Sequence, residues 1–350
     1  TNFVPGLDGA KKCLSIWDAK REPVALLCLF AACLGARFHD PHRQTQAPTQ
    51  GMIAGARSTT DGLKREIRQS LQRTGPVSEL PFKKILVPAD GSKSSLQSLE
   101  MAATLAGKMG SETTIIHVIP EFVGVPAEGE PEAIGKEVVS HFDQKAESII
   151  ADARSLFAEE GLDVKTDILR YRDPSDAIQD FAEDGEYDLI VMGNGEDDRW
   201  ELDTVGGVAE KVARGWKGSV LIVKKMCGFA RMSVVVGTGR DEALFELAVN
   251  LAKAFGSQFK VISAPSDGKA SADALLETYQ RRAKELGLVP QGEAMPKRNI
   301  KQLNAMLTTD LTQLLLVQRP TPGIVSRILG GRDWPYKVVA SCPCSVMICP

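Results

Sequence analysis

The chain has 350 residues, enough for about two or three domains that each bury a core. Hydrophobic residues at 43% and charged residues at 25% are ordinary for a globular protein in water. A formal net charge of -3 excludes a general electrostatic pull toward nucleic acid or acidic membrane, and no basic patch is plain enough to replace it, so no nucleic-acid partner is expected.

Residues 1–81 read as an N-terminal extension of unclear fold. Val24 to Ala36 is an apolar run behind Lys20 and Arg21, shorter than the roughly 20 residues a spanning helix takes. A buried or interfacial helix accounts for it; the lesser alternative is a signal-peptide core, with FAAC at Phe30 to Cys33 resembling a lipoprotein cleavage box. His39 to Gly55 is rich in Gln, Thr, Pro and Gly and reads as a linker, in which His39 and His42 lack the further ligands a metal needs. Asp61 to Arg73 predicts an amphipathic helix with Leu63, Ile67 and Leu71 on one face. Packing on the next domain is preferred over contact with a membrane or a partner.

From Phe82 the pattern alternates strand and helix. Ile85 to Val87 forms a strand that ends in Pro88, Ala89, Asp90, Gly91 and Ser92, and a helix follows from Ser94 to Met109. Thr114 to Ile119 is the next strand, where His117 between apolar neighbours reads as a core residue. Val123 to Gly135 is a Gly, Pro and Glu rich excursion before a long helix from Lys136 to Glu159. Val164 to Leu169 is a third strand, and Asp173 followed by Pro174 starts a helix, since a carboxylate caps free amides and proline needs no donor. The unbroken apolar run Leu189 to Met192 marks a strand covered on both faces. Gly193 and Gly195 then allow a tight turn, Gly206 and Gly207 open a helix whose free amides can face an anion, and Val220 to Val223 is a fifth strand.

The segments KKILVPADGS, TTIIHVIPEF and MGNG, with the closing VGGVAEKVARGWKGSVLIVKK, together resemble the universal stress protein family over Phe82 to Lys225. That resemblance implies a parallel sheet in the order 3-2-1-4-5 with helices on both faces, and a non-catalytic stress-response or regulatory role. For the nucleotide-binding members it further implies an adenine nucleotide, ATP or AMP. Carried onto this sequence, it assigns the ribose to Asp90, just past Pro88, and the adenine to the Val118 backbone. The phosphates fall to Gly193, Gly195, Gly206, Gly207 and the amide of Val208. Two positions depart from the family's loop: Glu196 replaces a glycine, and Gly207 stands where a hydroxyl residue is expected. Glu196, Asp197 and Asp198 repel a polyphosphate by about 1 kcal/mol or less each, unless magnesium recruits them as ligands. Two readings follow: a nucleotide-responsive module, or a nucleotide-free structural, dimerisation or partner-binding module.

Beyond Lys225 the pattern restarts, with strands at Ser233 to Val236 and Phe259 to Ala264 and helices at Glu242 to Phe255 and Ala272 to Leu286. EKVARGWKGSVLIV at Glu210 to Val223 aligns without gaps on YKVVASCPCSVMIC at Tyr336 to Cys349, an internal repeat. The fold class expected is therefore α/β, with two tandem doubly wound, Rossmann-like domains over 82–225 and 226–350 behind the N-terminal extension. They should pack on each other through Ser219 to Lys224 and Ser345 to Cys349. The second copy is read as degenerate and ligand-free: Gly239 stands near the place of the aspartate, Leu314 to Val317 runs into Gln318, Arg319 and Pro320, and prolines at 320 and 322 remove donors. No nucleophile with its base, no paired carboxylates and no Walker loop appear, so an enzyme is not expected. The seven cysteines are uneven and absent from the first domain, which predicts reduced thiols, with Cys342, Cys344 and Cys349 as buried strand residues rather than zinc ligands. The expected setting is cytoplasmic, with a homo-oligomer or a protein partner.

Overall fold

The computed structural model describes residues 81–121, 132–195, 206–224, 227–237, 241–265, 268–319 and 334–350. The extension with its helix at 61–73, the acidic run at 196–198, Gly239, Pro320 and Pro322 lie outside these residues.

In chain order the described elements are β1 Lys84–Pro88, α1 Lys93–Met109, β2 Glu112–Pro120, α2 Glu132–Glu159, β3 Lys165–Tyr171, α3 Pro174–Asp184, β4 Leu189–Gly193, α4 Gly207–Gly215 and β5 Ser219–Val223. They continue with β6 Arg231–Val236, α5 Asp241–Phe255, β7 Gln258–Ser263, α6 Lys269–Glu285, β8 Gln291–Ala294, α7 Ile300–Thr309, β9 Leu314–Gln318, α8 Trp334–Ser341 and β10 Ser345–Cys349. All ten strands form one sheet in the order β3-β2-β1-β4-β5-β10-β9-β6-β7-β8. Each half is parallel with the order 3-2-1-4-5 when its own strands are counted, and the halves meet where β5 and β10 pair antiparallel, Val346 opposite Ile222 and Ile348 opposite Val220.

Strand alternation sorts the core onto two faces. Ile85, Val87, Leu189 and Val191 pack with Leu105 of α1, Phe157 of α2 and Phe245 of α5 on one face. Leu86, Ile190 and Ile222 pack with Ile178 of α3, Val212 of α4, Leu303 of α7 and Val338 of α8 on the other. Both layers run through the β5/β10 junction without a break, because Leu221 and Met347 lie on one face and Ile222 and Val346 on the other.

Two elements escape the sequence pattern. β8 is QGEA, exposed or half-buried throughout, because an edge strand needs no apolar alternation; α7 starts at an Asn299 cap that accepts from the amides of Lys301 and Gln302. The long helix also begins at Glu132, ahead of the expected Lys136.

Side chains lock the junction. Lys224, 6% exposed, extends its ammonium from the end of β5 to the carbonyls of Ala340 (3.1 Å) and Cys342 (2.9 Å) at the end of α8. From the other half, Arg319 donates to the carbonyls of Trp216 and Gly218 (3.0 Å to the latter), just past α4. Each half thus sends one cation to the carbonyl end of the other's last helix, where the dipole favours positive charge. The Arg214 guanidinium also lies 4.3 Å from the Tyr336 ring centroid.

Candidate functional site

In the first half, strand order reverses between β1 and β4, the position at which open α/β sheets collect ligands. A cavity of about 270 Å³ lies there, and its wall contains all eight residues singled out from the sequence: Pro88, Asp90, Val118, Gly193, Gly195, Gly206, Gly207 and Val208. Sequence reasoning missed Ser92, Ser94 and Ser95 at the start of α1, Pro174 and Ile178 of α3, and Met192, which also line the wall. Ser92 carried a signal, for it is the cap of α1 and accepts from the Ser95 amide at 3.1 Å.

The β1 exit is a closed polar turn. Asp90 Oδ1 accepts from the Ser92 amide (2.9 Å), Ser95 Oγ accepts from the Asp90 amide (3.2 Å), and Gly91 adopts φ +80°, a conformation that favours glycine. His117 is half-buried and borders the cavity, so its role is not that of a core residue alone. Its Nδ1 lies 2.6 Å from the Ala89 carbonyl; a carbonyl can only accept, so Nδ1 carries the proton.

The glycines of the loop have distinct physical reasons. A Cβ on Gly193 would fall 2.6 Å from the Ser94 backbone, so glycine is what lets β4 and α1 approach. Gly195, at φ +79°, packs on Gly206: a Cβ on Gly206 would meet the Gly195 Cα at 3.0 Å and the Asn194 carbonyl at 3.1 Å. The Gly206 amide donates to that carbonyl at 2.6 Å, which closes the base of the loop. Gly207 by contrast has none of the described residues within 4 Å of where its Cβ would be. α4 begins at Gly207 with no side-chain cap, so its first-turn amides have no intrahelical acceptor. Among the described residues the cavity wall holds no Lys or Arg, so backbone amides and the serine hydroxyls at the start of α1 are groups able to meet an anion.

α3, which bounds the cavity, is fixed by Asp173. Its carboxylate accepts from the Ser175 amide (2.8 Å) and hydroxyl (2.6 Å) and pairs with Lys211 of α4 (2.7 Å). Lys211 first, then Ser175, hold this carboxyl well below the usual carboxylate range.

The second half carries different residues at the corresponding place. Ile85 and Met232 stand opposite Leu189 and Leu314 in equivalent pairings, which makes Gly237, and not Gly239, the counterpart of Asp90. The β1/β2 and β6/β7 pairings likewise match Val118 to Ala264. Trp334, 6% exposed, stands where the first half has Val208, and Gln318 where it has Gly193.

This fold defines an open, doubly wound α/β protein with a cavity at the switch point of its first half. The sequence profile of the universal stress protein family matches residues 81–224. A universal stress protein of Methanocaldococcus jannaschii is 36% identical over 165 residues, covering 47% of this chain and 92% of the relative. The stress response protein NhaX of Bacillus subtilis is 27% identical over 162 residues, 40% of this chain and 97% of the relative. Among solved structures, a universal stress protein of Archaeoglobus fulgidus aligns with a TM-score of 0.59 at 21% identity, covering 76% of this chain and 95% of that one. One from Pseudomonas aeruginosa aligns at 0.52 with 15% identity, over 77% and 93%. The chain belongs to the universal stress protein family.

Proposed function

We propose that this protein is a non-catalytic, cytoplasmic stress-response regulator whose first half binds an adenine nucleotide, AMP or ATP. The observation that carries the reading is the convergence of Asp90, the Val118 backbone, the Gly195/Gly206 contact and the uncapped start of α4 on one cavity at the switch point. In this reading the ribose meets Asp90, the base lies along Val118, and the phosphates face the amides of Gly207 and Val208. Binding rather than catalysis is favoured because Asp90 and His117, the two titratable groups of the wall among the described residues, are both engaged in holding the β1 exit.

With no Lys or Arg in the wall among the described residues and acidic residues at 196–198 following the loop, magnesium becomes the means of accommodating a polyphosphate. The second half belongs to this reading as a ligand-free tandem copy. Because β5 and β10 consume each other's edges, a second copy of the chain or a protein partner must dock elsewhere. Among the described residues no helix is long and apolar enough to cross a membrane.

Calorimetry with AMP and ATP, with and without magnesium, tests the proposal on wild type and on Asp90→Ala. One equivalent of nucleotide bound by wild type and weakened at least tenfold in Asp90→Ala is the expected result. If neither nucleotide binds and Glu196→Gly restores nothing, the first half is a structural or partner-binding module instead.

A further inference from the structure

The loop after the third strand of the second half turns an arginine inward. Arg298 Nε donates to the Ala264 carbonyl (3.0 Å) and Nη2 to the Gly237 carbonyl (2.8 Å), bridging the ends of β7 and β6. Its guanidinium lies 5.9 Å from the Trp334 ring centroid, within the range of a cation–π contact. Asp241 accepts from the Gly237 amide (2.7 Å), so a carboxylate holds the same turn and attracts the guanidinium. Gly237 adopts φ +94°, and a Cβ there would lie 2.7 Å from the Pro265 nitrogen, so the carbonyl it presents depends on glycine.

Three of these positions have a counterpart in the wall of the first-half cavity. Ala264 and Gly237 correspond to Val118 and Asp90, and Trp334 to Val208, all three of which line that cavity. His117 pairs with Ile168 as Ser263 pairs with Ala294, and four residues further on in each half stands an arginine, Arg172 or Arg298, just before the helix cap Asp173 or Asn299. Arg172 is exposed, whereas Arg298 is half-buried and spans the two strand ends. The difference follows from the neighbours, since Trp334 supplies a broad aromatic face where Val208 does not.

We propose that the second half has a self-occupied ligand position, in which the Arg298 side chain is a tethered guanidinium ligand for the carbonyls of Ala264 and Gly237 beside Trp334. Removing that side chain opens a site for a free cation of the guanidinium class, planar and able to donate to both carbonyls at once. The proposal does not depend on whether the first half binds a nucleotide.

The test is chemical rescue of the full chain. Arg298→Ala is melted with methylguanidinium chloride at millimolar concentration, with sodium chloride at equal ionic strength as control. The expected result is a Tm lowered by on the order of 5 °C, most of it regained with methylguanidinium, while wild type shows no such gain. Should Arg298→Ala fail to fold, refolding yield with and without methylguanidinium replaces the melt. Arg298→Lys, whose compact ammonium cannot span both carbonyls as a planar fork does, should be destabilised and not rescued. The proposal is overturned if Arg298→Ala melts with wild type, or if methylguanidinium does no more than sodium chloride for its Tm or its refolding yield.

Discussion

The Lys224 ammonium donates to the Cys342 carbonyl at 2.9 Å, joining the last strand of the first half to the end of the last helix of the second. With the Ala340 carbonyl as a second acceptor, this buried cation meets carbonyls that the helix itself leaves unsatisfied. Replacing it by methionine keeps much of the volume but strands those carbonyls at the junction. The expected effect of Lys224→Met is a loss of about 1.5–3 kcal/mol in urea unfolding. An unchanged midpoint would show that the junction rests on strand pairing and apolar packing alone.

The two adjacent glycines at the start of α4 should respond in opposite ways. Gly206→Ala puts a methyl against Gly195 and the Asn194 carbonyl, so overpacking of about 1–3 kcal/mol and weaker nucleotide binding are expected. Gly207→Ser meets no neighbour among the described residues, so it should keep the fold stable and add a hydroxyl where phosphate is proposed to lie. Calorimetry and thermal melts on the pair check this; equal destabilisation by both would contradict the loop geometry.

Asp173 makes a prediction about acid. Its carboxyl is depressed by Lys211 and Ser175, so its contribution is fully present above the unfolded-state value near 4 and is lost as pH falls toward the lower folded value. Asp173→Asn should therefore melt below wild type at neutral pH, with the gap shrinking as pH drops beneath about 4. A gap that stays constant down to pH 2 would mean that the pair with Lys211 adds nothing beyond the helix cap.

Burial pushes the Cys344 and Cys349 thiols up to about 12 and Cys342 upward as well. Nucleophilic attack requires the thiolate, so these three should escape alkylation in the native state. Half-buried Cys227 should react before them. Iodoacetamide labelling followed by peptide mapping reads this directly, and early labelling of Cys344 would show that the junction opens.

What could be read from the residues alone was whatever depends on local repetition. The apolar runs Ile85 to Val87 and Leu189 to Met192 declare strands buried on both faces, Asp173 with Pro174 declares a helix start, and the glycines at 193, 195 and 206 mark a tight loop. The repeat between Glu210 to Val223 and Tyr336 to Cys349 likewise points to matching strand orders. Such patterns report the burial and backbone freedom each residue needs, and neighbours in sequence share those needs.

Tertiary structure alone decided the rest. QGEA at β8 has no apolar signal because an edge strand is held by hydrogen bonds to β7 on one side and water on the other. Nothing in the sequence near Lys224 or Arg319 announces that each reaches carbonyls about a hundred positions away. Arg172 and Arg298 occupy the same place before a helix cap, yet one is exposed and the other bridges two strand ends. The long side chain of arginine reaches several ångströms in any direction, so its partner is set by which distant groups the fold brings within that reach, here Trp334, Gly237 and Ala264.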